Sequence, residues 1–179
     1  MKLKELQKEV YKRRKLENLN ILWINSELNT IGELSGTLAM HALNYTSPLK
    51  ELKNITSVDN FNAVIENAGW LLESCLALSA MFAFDPDRFP DFKTRFLELP
   101  ATLRDYLPYI MIEYGALQGI FRKAKHKDTT KFQERDAFQI HLARLSNYIL
   151  DLLNALEVNP EVVIKKLCGV EMKYGGLVS

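Results

Sequence analysis

Apolar residues recur every three or four positions along most of this 179-residue chain, and no run alternates apolar with polar long enough to make a strand. That pattern restricts the chain to an all-α fold, a helical bundle of about five to seven helices. Leu3, Leu6 and Val10 predict an opening helix. A long helix follows from Leu19 to about Asn44, with Ile21, Leu22, Ile24, Leu28, Ile31, Leu34 and Leu38 on its apolar face. Pro48 stops it, because proline cannot continue a helix and restricts the residue before it. A polar connection is expected to about Ser57, and Asp59 then reads as the N-cap of a helix through Val64, Ile65, Trp70, Leu71, Leu76 and Phe82.

The stretch Phe84-Asp85-Pro86-Asp87-Arg88-Phe89-Pro90 breaks the periodicity and is the best internal boundary, dividing the chain into 1–90 and 91–179 of one compact unit. Helix resumes near Thr102 and runs to about His126, with Pro108 marking a kink or the true start. After a polar loop, Glu134 to Leu156 carries Phe138, Leu142, Leu145, Ile149, Leu152 and Leu153 at helical spacing. Asn159 is placed to cap a last helix with Pro160 at its first position, an arrangement helices favour. Gly175-Gly176 closes it.

Composition narrows the function classes. A formal charge of +1 gives no overall reason to expect nucleic acid or a membrane surface as a partner. The most apolar stretch, Trp70 to Phe84, contains Glu73 and falls short of the roughly 20 apolar residues that span a bilayer. The charged opening, Met-Lys-Leu-Lys-Glu-Leu-Gln-Lys, is unlike a secretory signal, so a cytoplasmic protein is expected. Cys75 and Cys168 sit in apolar runs and read as buried thiols rather than a disulfide. The cluster Lys12-Arg13-Arg14-Lys15 is either a solvated helix end or a phosphate contact.

Two stretches look like copies of each other: Thr30-Ile31-Gly32-Glu33-Leu34-Ser35-Gly36 parallels Glu113-Tyr114-Gly115-Ala116-Leu117-Gln118-Gly119. Trp70 lies as far before Pro86 as Arg144 lies before Pro160. A helical hairpin used twice about an approximate two-fold axis accounts for this, against the alternative that any two amphipathic hairpins look alike.

The opening Leu3-Lys4-Glu5-Leu6-Gln7-Lys8-Glu9-Val10-Tyr11, the segments Ile31-Gly32-Glu33-Leu34 and Ile112-Glu113-Tyr114-Gly115-Ala116-Leu117, and the stretch His141 to Leu150 resemble the MazG-like, all-α nucleoside triphosphate pyrophosphatases. Glu157-Val158-Asn159-Pro160 resembles that family's ending. The resemblance implies two MazG-like halves in one chain. It also implies paired acids three apart on facing helices, where carboxylates hold magnesium against a triphosphate while water attacks.

Carried over by position, the first half offers Thr30, Glu33, Asn67 and Trp70, and the second Glu113, Ala116, His141 and Arg144, so each half keeps one acid of four. Glu66, beside Asn67, is the other residual acid. Arg144 in place of an acid allows direct bidentate contact with phosphate, without a metal ion. His141, Lys123 and Lys125 would add to that field, with Trp70 or Tyr114 as a stacking group; alternatively Arg144 is solvated or pairs with Glu113 and the lysines are a solvated helix end. His41, His126 and His141 are isolated from one another in sequence, and Trp23, Trp70, Tyr114 and Tyr148 fall at positions expected to be buried.

The expectation is therefore a catalytically impaired MazG-like protein that binds or sequesters a nucleotide or nucleotide-derived phosphate ligand and needs no cofactor. Two alternatives stand beside it. One is a magnesium-dependent pyrophosphohydrolase using Glu33, Glu66 and Glu113 in an altered metal site; the other is a protein-interaction scaffold. Assembly into a homo-oligomer is left open.

Overall fold

The computed structural model describes residues 3–14, 21–81, 102–125 and 134–175. Within them run seven helices: α1 (Leu3–Arg14), α2 (Ile21–Asn44), α3 (Leu49–Ile55), α4 (Val58–Met81), α5 (Leu103–Lys125), α6 (Arg135–Ala155) and α7 (Pro160–Gly175). Among the described residues there is no strand, only an isolated antiparallel bridge between Pro48 and Thr102. No helix there is long and apolar enough to cross a membrane.

The centre of the molecule is α4. Every residue from Leu71 to Ser79 is buried, so this stretch of the helix is covered on all sides rather than along one stripe. α1, α2, α6 and α7 all pack against it, and α3 touches it. α5 is held on the outside of this group by α2 and α6. One apolar cluster takes residues from all seven helices, from Leu6 of α1 to Ile164 of α7. Helices from both sides of the Phe84–Pro90 stretch thus share one core. That stretch itself lies outside the described residues, as do Lys15 and the lysine-rich loop after α5.

Polar atoms in this core are tied locally. Gln7 of α1 donates to the Ser79 hydroxyl of α4 at 2.6 Å, both residues buried, which fixes α1 against the hub. α7 approaches α4 closely at Gly69, where a Cβ would lie 2.5 Å from Val163 Cγ1 and 2.8 Å from Leu167 Cδ1. Gly36, Gly115 and Gly119 are different: all are exposed, and a Cβ on any of them would meet nothing within 4 Å.

Local chemistry sets the helix ends. Asn159 does cap α7, its Oδ1 accepting the Glu161 N–H at 2.9 Å. The cap of α4 is Ser57 rather than Asp59: Ser57 Oγ accepts the Asn60 N–H at 3.3 Å, and Asp59 falls in the first turn, where its charge suits the helix dipole. Pro108 lies inside α5 and does not start it. The start is a reciprocal cap, in which Thr102 Oγ1 accepts the Asp105 N–H and Asp105 Oδ2 accepts the Thr102 N–H. The polar connection before Ser57 contains the short helix α3, which buries Leu49 and Leu52. Two leucines three apart in a polar stretch are too short a period to announce a helix; packing on α4 makes it one.

Two residues past Ala155 the chain leaves α6 through Glu157, whose φ of 58° lies in the left-handed region. The Val158 N–H reaches Leu153 O and the Glu157 N–H reaches Asn154 O, both at 2.9 Å, satisfying the last carbonyls of the helix. Lys53 bonds the Glu157 carboxylate at 3.0 Å, but both side chains are exposed and the pair contributes little.

Two comparisons check this account by urea denaturation. Gly69→Ala is expected to destabilise by about 1–3 kcal/mol, because α7 must move, whereas Gly115→Ala stabilises by about 1 kcal/mol, because it gains helix propensity and meets nothing. Glu157→Gly should be more stable than Glu157→Ala by about 1 kcal/mol, since both lose the Lys53 contact and only alanine keeps the left-handed strain.

Candidate functional site

Chemistry-bearing side chains gather along the seam between α5 and α6. α5 contributes Tyr106, Tyr109 and Glu113, and α6 contributes His141, Arg144, Tyr148 and Asp151, all spaced by three or four residues and so aligned in two facing rows. His141 Nδ1 lies 2.6 Å from Glu113 Oε2, with 27% of the histidine side chain exposed and 7% of the glutamate. Further along the seam the rings of Tyr109 and Tyr148 meet with centroids 5.4 Å apart at 40°. Tyr106 and Asp151, one turn beyond each ring, continue the two rows.

Burial sets the electrostatics of this row. The Tyr148 phenol is raised above its ordinary value, first by desolvation and then by the Glu113 carboxylate, with the Arg144 guanidinium acting the other way. Tyr106 is pushed up to about 12 by burial and by the Asp151 carboxylate. Burial alone lifts Asp151 to about 6. Tyr106 Oη and Asp151 Oδ2 are both buried without a hydrogen-bond partner among the described residues.

Comparison with models of known protein families, with curated proteins and with solved structures gave no match to this chain.

The residues singled out from the sequence separate into two groups. Glu113, His141 and Arg144 come together at the seam, with Glu113 paired to His141. The first-half positions do not form an equivalent arrangement. Thr30 Oγ1 donates to the Ser26 carbonyl and Asn67 Nδ2 to the Ala63 carbonyl, each folding back on its own helix. Glu33 and Glu66 are exposed, and Trp70 is half-buried on α4. Tyr114, next to Glu113, points the other way: it lies over Gly32 of α2, where any Cβ would strike its hydroxyl, and that hydroxyl accepts from Gln118 at 3.0 Å. Successive helix residues are about 100° apart, which is why Glu113 faces α6 while Tyr114 faces α2. Lys123 is exposed on α5, about 15 Å of helix rise beyond Glu113. The side chain of Lys125 lies outside the described residues.

Magnesium prefers a shell of oxygens, and the carried-over positions at the seam supply one carboxylate, an imidazole and a guanidinium, which do not fit it. Among the described residues no group of three or more His, Cys, Asp or Glu side chains converges.

Several groups escaped the sequence reading. Tyr109 and Asp151 belong to the seam, and the spacing 141, 144, 148, 151 on one helix was the available signal. Glu27 and Glu73 are buried in the interior beside Cys75. The Cys75 thiol is pushed well up, first by burial and further by these two carboxylates, while a hydrogen bond with Ser146 opposes the rise. A thiol held protonated in this way is a packing residue rather than a nucleophile.

The raised Asp151 has a defined signature. The folded protein holds that proton between the ordinary 3.8 and about 6, where the unfolded chain has released it, so this group's contribution to stability falls as pH rises through that window. Asp151→Asn is expected to exceed the wild type in stability near pH 7, on the order of 1 kcal/mol. Denaturation curves at several pH values should show the difference shrinking towards pH ~4; a gap that stays constant overturns the assignment.

Proposed function

We propose that this chain is a MazG-like helical protein that binds a nucleotide or nucleotide-derived phosphate ligand at the α5–α6 seam without a metal ion. The observation that carries the reading is the buried Glu113 held by His141 at 2.6 Å, with Arg144 one turn further along α6. Arg144 would meet phosphate oxygens through its planar fork, and His141 would add a second contact. The Tyr109–Tyr148 pair lies along the same seam and offers an aromatic surface to a base. Three groups with raised proton affinity, Tyr106, Tyr148 and Asp151, lie in this one row, a concentration more typical of functional sites than of plain packing.

The duplication belongs to the same proposal. α2 packs on α4 and α5 on α6, and the two pairs join through α2–α5 and α4–α6, as two copies of one hairpin would. The copies have diverged: the first turned its positions back onto their own helices, and the second acquired the histidine–glutamate pair.

A protein-interaction surface is the second reading. Met40 and Leu43 of α2 and Met111 and Ile112 of α5 are exposed on two helices that pack together.

Thermal melting against nucleoside mono-, di- and triphosphates, with and without magnesium, separates the readings. A ligand at a hundred times its dissociation constant stabilises by about 2.7 kcal/mol. The expected result is a shift without magnesium that Arg144→Ala abolishes while remaining folded. A shift that requires magnesium, with pyrophosphate release lost in Glu113→Ala, would establish the hydrolase instead. No shift with any nucleotide, together with concentration-dependent assembly, favours the interaction surface.

A further inference from the structure

The geometry points to Glu113 as a positioning residue: it accepts the Nδ1–H of His141 and leaves Nε2 to face a ligand beside Arg144, where the doubly protonated ring donates Nε2–H to a phosphate oxygen. The last step rests on the phosphate-binding reading given above; the orienting contact does not.

An ionised carboxylate can only accept, so a 2.6 Å contact between Glu113 Oε2 and His141 Nδ1 requires the ring proton on Nδ1. A free imidazole prefers its proton on Nε2, so Glu113 selects the less common neutral form. The glutamate side chain is 7% exposed and the histidine 27%. The inner nitrogen is therefore committed to a buried acceptor, which leaves Nε2 as the ring's second hydrogen-bonding atom. Arg144, three residues on, rises from the same side of α6, and its charge and that of Glu113 both act on the Tyr148 phenol. Histidines that hold metal ions elsewhere are oriented in this way by a carboxylate behind them, and loss of that carboxylate lowers metal affinity about tenfold or more.

The test uses the full chain and two readouts. Long-range proton–nitrogen correlation spectra, taken without ligand at a pH where the imidazole is neutral, report which nitrogen of His141 carries the proton. The chain has three histidines, and His141→Gln assigns the signal. The expected result is the Nδ1–H form in the wild type and a switch to Nε2–H in Glu113→Ala. An Nε2–H form in the wild type overturns the inference, and that spectrum decides even where Glu113→Ala fails to fold.

The second readout is affinity for inorganic triphosphate without magnesium. Glutamine places a polar atom near the Nε2 position and asparagine near Nδ1, so His141→Gln should retain more affinity than His141→Asn. The reverse order overturns the assignment of Nε2. A wild type that holds the Nδ1–H form but binds no triphosphate supports the orienting role and overturns only the ligand reading.

Discussion

The described helices are arranged around a stretch of helix that water does not reach. Nine successive residues of α4, Leu71 to Ser79, are buried, and a helix can be covered over its whole circumference only if other helices lie on every side. α1, α2, α6 and α7 supply that cover. Three of these junctions have a local chemistry of their own: the Gln7–Ser79 hydrogen bond for α1, the absence of a Cβ at Gly69 for α7, and the Cys75–Ser146 contact for α6. Polar groups inside such a helix must find partners within the protein, as Ser79 does in Gln7.

The position of the candidate site follows from the same constraint. With α4 enclosed by its neighbours, α5 is left at the periphery, supported by α2 and α6. Its junction with α6 therefore lies where side chains are partly desolvated and still reachable. Glu113 is buried there while His141 keeps an exposed edge. A carboxylate in that setting is stabilised only by a close donor, and an imidazole can serve as that donor while part of its ring stays exposed.

How much of this was legible in the sequence depended on the range of the interaction involved. The long helices were, because amphipathic period is a local property repeated over many residues: α2, α4, α5 and α6 appear close to their expected limits. Asn159-Pro160 was legible as a helix start because a cap acts within three residues. Ser57 was passed over for Asp59, since both are good caps and only the entry angle of the chain decides between them. α3 was not legible, because its two buried leucines have meaning only against α4.

The sequence by itself determined the helical character of the chain and the positions of Glu113 on α5 and of His141 and Arg144 on α6. Tertiary packing decided which of them meet. A rotation of about 100° per residue sends Tyr114 to Gly32 and Glu113 to His141, and no local rule states which face of α5 will meet which neighbour. Packing also separated the two halves that look alike in sequence: Thr30 and Asn67 bond their own helices, whereas Glu113 and His141 bond each other. Contacts across helices depend on the relative placement of whole elements, and the enclosure of α4 sets that placement.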